Sequence, residues 1–399
     1  MKILIIGGGA SGMMAALSAA ENPENRITLL ERQNRVGRKL LATGNGRCNL
    51  TNADIALSRY PGGGSFASNA LRRFSKDDTL AFFASLGLYT VTDDTGRCYP
   101  LSDQANSVVD VLRFSLEQAG VATVTSCDVI EAKKTKSGFT VTAADGQTFT
   151  ADRLIVTAGG CAGKGLGGTK SGYRLLEQLG HHVTALHPSL VQIKTDPAPK
   201  SLKGVRADAK ITVKGAGESA GEVQFTDFGI SGPAAFDVSR TVSLSESAAT
   251  LLLDFMRDYS EETLLARLQD RAARFPRLPA EQLLIGMLNT RLGQVLLKHA
   301  EIPREAPLSD LTEQQLKTVA HTLKYYPMTA VGVLGMDHAQ VTAGGVYTDE
   351  FRADTLESRI VPGLFAAGEV LDVDGDCGGF NLQWAWSSGY VAGKLGAFE

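Results

Sequence analysis

The sequence has no CxxC pair, no long apolar run, little net charge and no second nucleotide-binding glycine signature in its middle. Its five cysteines, Cys48, Cys98, Cys127, Cys161 and Cys377, are odd in number and widely spaced. That is the pattern of a reduced, cytoplasmic protein and not of a disulfide scaffold. No apolar stretch approaches the roughly 20 residues that span a bilayer, so membrane insertion is not expected. The formal net charge is −3, with 40 Lys and Arg against 43 Asp and Glu. Such a balance gives no electrostatic basis for holding nucleic acid or an anionic membrane. The six histidines include the pair His181-His182, yet no His, Cys and carboxylate grouping has metal-ligand spacing, and no metal is expected. The first residues already read as a strand, so a secretory leader is not expected either.

Glycine is abundant, at 43 residues, and it gathers at 7–12, 44–46, 159–172 and 375–379. Clusters of this kind place backbone close to a ligand. The first cluster sits in the most informative context. Met1-Lys-Ile-Leu-Ile-Ile6 is an apolar strand that runs into Gly7-Gly-Gly-Ala-Ser-Gly12 and then into an Ala, Met and Leu-rich helical stretch. Gly7 allows the tight turn, Gly9 lets a pyrophosphate approach the backbone, and Gly12 lets the helix pack against the strand. A second strand, Ile27–Leu30, ends in Glu31, placed to accept hydrogen bonds from a ribose 2′-OH. The spacing predicts a bound dinucleotide.

The rest of the chain divides by its periodicity. Between 66 and 119, apolar residues at helical spacing predict two amphipathic helices around a turn at Thr95–Pro100. Short strands follow at Val121–Val124, Val129–Ala132, Phe139–Ala143 and Phe149–Thr150, and Arg153–Thr157 is a buried strand ending in Ala158-Gly-Gly160. From about 188, alternating strands suit a small antiparallel barrel or sandwich, and 260–320 turn helical. Val361–Ala367 returns to the buried-strand pattern, so the dinucleotide domain is expected to be discontinuous. Two stretches imitate nucleotide loops. Gly215–Gly221 joins two alternating segments with no helix after it, as a hairpin turn does. The stretch at 160–168 misses P-loop spacing.

Two further segments carry chemistry. In Gly37–Asn52, Arg38 and Lys39 stand where two phosphates need neutralising, Thr43-Gly44-Asn45-Gly46 supplies backbone that can lie along a flat ring, and Asn49 and Asn52 add amides. In Gly363–Asn381, a buried strand delivers Gly368 and Glu369 to the ligand, and Gly378-Gly379 opens a helix over Leu382–Leu395. The positive end of that helix can face a negative charge developing on a reduced flavin ring. FAD uses both ends of the chain in this way, whereas NAD leaves the C-terminal segment idle. Arg47, Cys48, Tyr99, Asp376 and Cys377 border the expected ring, and Arg47, Cys48, Tyr99 and Cys377 are the weak candidates for acid–base work.

The ordered set GGGASG, GRKLLATGNGRCNLTN, GRCYPLSDQA, TAGG, FTDFGISGPA, VTAGGV and PGLFAAGEVLDVDGDCGGFNLQWAWSSGYVAG resembles the YhiN/BaiN-like family of FAD-dependent oxidoreductases, which includes aminoacetone oxidase. The resemblance runs from residue 1 to about 396. It implies an α/β chain with a Rossmann-like, glutathione-reductase-like FAD domain (1–187 and 345–399), a β-barrel-like domain (188–255 and 320–344) and a helical insert (256–319). It also implies FAD contacts at Gly9, Ser11, Gly12, Glu31, Arg32, Lys39, Val129, Gly159, Gly368, Glu369 and Asn381. Together with the loops read above, the expected cradle adds Gly7, Ala10, Arg38, Thr43, Gly44, Asn49, Ala158, Gly160, Asp376, Gly379 and Leu382. Asn45 stands where the family carries glycine, and Asp227 where relatives often carry histidine.

The implied reaction moves a hydride between flavin N5 and a small organic substrate. NAD(P)H-driven reduction of an activated C=C bond leads, with NAD(P)H bound only transiently because no second Rossmann unit is present. Oxidation of an amine such as aminoacetone by O2, and a flavin-bearing binding protein without turnover, are the alternatives.

Overall fold

A computed structural model describes residues 1–245 and 247–397. Its chain contacts separate two compact units, one formed by Met1–His187 with the return segment that begins at Gln340, the other by Pro188–Ala339.

The first unit begins with β1 (Lys2–Ile6), α1 (Ala10–Ala20) and β2 (Arg26–Leu30). A short β3 (Thr51–Asn52) leads to α2 (Gly64–Arg73), α3 (Lys76–Ser85), the hairpin of β4 (Thr90–Thr92) and β5 (Arg97–Pro100), and α4 (Ala105–Gln118). Next come β6 (Ala122–Val124), a meander of β7 (Val129–Thr135), β8 (Gly138–Ala143) and β9 (Thr148–Ala151), then β10 (Arg153–Val156) and α5 (Ser171–Gln178). Two expectations are corrected here. The region 66–119 holds three helices, because Ser75 starts α3 with a capping box to Asp78 and so splits the apolar run. Arg97–Pro100 is no turn but a strand, paired to both β3 and β4.

The second unit contains β11 (Ile193–Thr195), β12 (Arg206–Val213), β13 (Gly217–Phe225), β14 (Gly229–Ser231), α6 (Pro233–Leu244), β15 (Ala249–Asp254), α7 (Glu261–Arg274), α8 (Thr290–His299), α9 (Glu313–Lys324) and β16 (Tyr326–Val333). Its six strands close a barrel in the order β11-β14-β13-β12-β15-β16. Gly215 lies in the β12–β13 hairpin turn, as its flanking alternation predicts. Ala209, Ile211 and Val213 alternate inward along β12, and they share one hydrophobic cluster with Val238 of α6 and Leu264 and Leu268 of α7.

The return segment adds β17 (Val341–Ala343), β18 (Leu364–Ala366) and α10 (Phe380–Gly393) to the first unit. Five parallel strands now form its sheet, in the order β18-β10-β1-β2-β6. Ile3–Ile6 and Leu154–Val156 are buried throughout, as strands covered on both faces must be. The inner strands β10, β1 and β2 end together at Val156, Ile6 and Leu30, so the turns after them converge on one rim. Crevices at such C-terminal strand ends are where open α/β sheets hold ligands.

Candidate active site

The glycines of the first turn do three different jobs. Gly7 adopts φ +108°, a conformation an L side chain rarely takes, and a methyl group there would sit 2.5 Å from Thr157 O. A methyl group on Gly12 would collide with Gly7 O, so Gly12 sets the approach of α1 to its own strand. Gly9 is different. A methyl group on it would meet no protein atom within 4 Å, so packing does not require glycine there. No side chain caps α1, so its first amides have no capping side-chain acceptor. An uncapped helix start behind an unfilled glycine suits an anionic pyrophosphate.

Glu31 closes this turn from below. Its carboxylate accepts the Gly8 N–H at 2.7 Å and the Gln33 N–H at 2.6 Å, and burial raises its pKa above the ordinary glutamate value in spite of those bonds. Ser126 and Cys127 donate to the Gln33 and Glu31 carbonyls at 2.8 and 2.9 Å, which brings the chain entering Val129 alongside. Arg32 donates to Gly167 O at 3.0 Å.

The basic pair at 38–39 separates. Arg38 is exposed and donates to Gln33 Oε1 at 2.6 Å, whereas Lys39 forms a 2.8 Å ion pair with Glu369. Glu369 also accepts the Thr342 N–H at 2.9 Å. Gly368 abuts the start of α1, since a methyl group on it would lie 2.5 Å from Ser11 Oγ. Ser11, Lys39, Gly368 and Glu369, distant in sequence, are thus gathered at one rim. Gly159, in the turn after β10, has nothing within 4 Å of an added methyl.

The loop after Lys39 winds through Thr43, Gly44 and Asn45 with non-helical backbone. Asn45 has φ +56°, and asparagine is among the non-glycine residues that tolerate this region best, so its backbone can adopt the conformation a glycine there would take. The Asn49 side-chain oxygen is buried with no hydrogen-bond partner, an acceptor suited to a ligand N–H. Asn52 donates to Gly378 O at 2.8 Å. Gly379, φ +99°, lies against Thr51 O, where a methyl would be 2.5 Å away. It starts α10, again without a side-chain cap. Asn381 behaves as a brace: its amide takes Gly375 N–H at 2.9 Å and donates to Gly375 O at 2.7 Å. The Asp376 carboxylate lies 3.6 Å from Arg59, and Leu382 occupies the first turn of α10.

Residues that motif reading does not single out hold α10 in place. Gln383 is fully buried, donates to Phe74 O, Thr79 and Ser387, and accepts from Thr51 at 2.6 Å. The Trp384 and Trp386 indoles donate to Gly368 O and Leu50 O at 3.1 and 3.0 Å. Methyl groups on Gly389 and Gly393 would strike Ser11 O and Ala15 O of α1. The four-residue spacing of those two glycines is the one signal for this contact in the sequence.

The family described as HI0933-like protein Rossmann domain matches residues 1–395. The chain belongs to this family. It is an FAD-dependent oxidoreductase, as the resemblance implies. Among relatives, it is 40% identical to the 3-dehydro-bile acid delta(4,6)-reductase of Clostridium scindens, over 99% of each chain. It is 31% identical to a ribosomal RNA dihydrouridine synthase of Escherichia coli, over 98% of this chain and 96% of the relative. Among solved structures, the 3-ketosteroid delta1-dehydrogenase of Sterolibacterium denitrificans shares 14% identity over 98% of each chain, with a TM-score of 0.50. That likeness is one of fold.

In this HI0933-like chain the candidates for proton transfer differ sharply. Cys48 is wholly buried at φ +61°, and its thiol is pushed up to about 12, so it stays a packed, protonated side chain and not a nucleophile. Cys377 is half-buried. Tyr99, carried by β5, has Arg47 stacked over its ring at 4.1 Å, and Gly44 packs against the ring edge. Burial raises the Tyr99 phenol above its ordinary value, with Arg47 and Arg97 opposing the shift. Arg47 also lies 3.7 Å from Asp103, an exposed pair of little energetic weight.

The uncapped start of α1, the open face of Gly9, the unpartnered Asn49 oxygen and the uncapped start of α10 suit the groups that FAD presents, an anionic pyrophosphate and a ring N–H. Among the described residues no helix is long and apolar enough to cross a membrane.

Proposed function

We propose that the protein saturates a C=C bond conjugated to a carbonyl in a small organic substrate, with NAD(P)H as the electron source. The observation that carries this reading is the 40% identity, over essentially the whole of both chains, to a protein named as a 3-dehydro-bile acid delta(4,6)-reductase. Saturating such a bond adds a hydride to the carbon β to the carbonyl and a proton to the α carbon. Bound FAD supplies the hydride chemistry. The chain must supply the proton and a charge to receive the electron density that moves onto the carbonyl oxygen. Tyr99, protonated at neutral pH, is the proposed acid, and Arg47 beside it the proposed charge.

The test is product analysis. Incubated anaerobically with NADPH or NADH and a 3-oxo-4-ene steroid, the protein should yield a product heavier by two hydrogens. Tyr99→Phe should lower the rate by roughly a hundredfold or more. No product with either nicotinamide would sink the proposal, and peroxide release from aminoacetone in its place would mark an amine oxidase.

A second reading is favoured by the two relatives named as ribosomal RNA dihydrouridine synthases. The 5,6 double bond of uracil is also conjugated to a carbonyl, so the chemistry is of the same class on a polymeric substrate. The formal net charge of −3 favours the small molecule. Uridine-containing RNA offered in parallel with the steroid separates the two.

A further inference from the structure

Thr342 is buried on β17 and stands at the centre of contacts around Glu369. Its backbone N–H donates to Glu369 Oε1 at 2.9 Å, while Glu369 Oε2 takes Lys39 at 2.8 Å. Its hydroxyl accepts two further N–H groups, from Cys161 and Ala162, each at 3.0 Å. Those amides belong to the turn that follows Gly159 and Gly160. A methyl group on Gly160 would collide with Glu369 Oε1 and lie 2.5 Å from Thr342 Oγ1, so glycine, carboxylate and hydroxyl occupy one tight space.

From this arrangement we infer that Thr342 is a positioning residue for the cofactor cradle. It fixes the Gly159-Gly160 turn through its hydroxyl and the Glu369 carboxylate through its amide, and so holds Glu369 and Lys39 in the orientation that FAD meets. The inference rests on the reading that Glu369 contacts FAD. Two buried amides sharing one hydroxyl cannot both be satisfied without it, so its removal frees the turn, and the carboxylate loses the fixed Gly160 backbone it packs against. A serine retains the hydroxyl and should retain the function.

The test is FAD affinity, read from flavin fluorescence on titration into the full-length apoprotein, in a double-mutant cycle. Thr342→Val should weaken FAD binding about tenfold or more, and Thr342→Ser by less than about threefold. In a Glu369→Gln background, Thr342→Val should add little: the valine keeps the backbone N–H to residue 369, and the turn it frees acts on FAD through the carboxylate that Gly160 packs against. A loss that adds in full in that background, or a serine as defective as the valine, would overturn the inference. Should Thr342→Val fail to fold, Gly160→Ala keeps the question open to measurement: its methyl presses on both the carboxylate and the Thr342 hydroxyl, and it should weaken FAD binding to a similar degree, again without adding to Glu369→Gln. Full additivity there overturns the inference equally. If Glu369→Gln alone leaves FAD affinity unchanged, the reading of Glu369 as a cofactor contact fails, a result distinguishable from failure of Thr342.

Discussion

Single residues in the glycine turn separate packing from binding. Gly9 has an ordinary extended backbone and no protein neighbour for an added side chain, so Gly9→Val should fold with an apoprotein melting temperature close to that of the parent and yet remain colourless. Yellow, saturated Gly9→Val protein would contradict the assignment of that space to pyrophosphate. The role of Gly9 was legible in the sequence, because strand, turn and helix flank it. The partner of Lys39 was not: pairing with Glu369 depends on β18 returning beside β10, which no local pattern encodes. Tyr99 makes the prediction at this scale that depends on pH. Its phenol must be protonated to act as an acid, and burial raises its pKa above an ordinary value of about 10. Turnover should therefore be level through neutral pH and fall only where the phenol ionises, above that ordinary value. A decline near neutrality that disappears in Tyr99→Phe would contradict the role.

Among elements, α10 joins the two ends of the first unit. Gly389 lies against Ser11 O, which is backbone and cannot move aside as a flexible side chain would. Gly389→Val should push α10 away from α1 and destabilise the fold by about 1–3 kcal/mol or more, measured by chemical denaturation. A stability within error of the parent would show that the helix contact has slack. Legibility at this scale follows periodicity. The strands β1, β10 and β18 are short, apolar after a leading Lys2 in β1 and Arg153 in β10, and followed within three residues by glycine, and they read directly from the sequence. The strand β5 does not, since Arg97-Cys-Tyr-Pro100 is four residues long, lies next to Gly96 and ends in proline, all of which suggest a turn. Pairing with β3 and β4 overrides those local signals and delivers Tyr99 to the loop at Arg47. The helix α6 has its own weak signal, because Val238, Thr241 and Val242 are β-branched and poor helix formers. Burial against the barrel strands compensates.

For the whole molecule, the parallel five-stranded sheet and the closed barrel follow from composition as much as from motif. Strands buried on both faces are continuous apolar runs, and barrel strands alternate, so the change of pattern near residue 188 marks the change of unit. What the sequence does not show is substrate, since substrate identity depends on side chains that converge only in the fold. The chemistry proposed needs one electron path, from nicotinamide through bound FAD to a conjugated C=C bond. An anaerobic titration of the FAD-loaded protein, followed in the visible flavin band, tests that path most directly. NADPH or NADH should bleach the band, and a stoichiometric 3-oxo-4-ene steroid should restore it. A band that neither nicotinamide bleaches, or that stays bleached in the presence of the steroid and of uridine-containing RNA, would contradict the account.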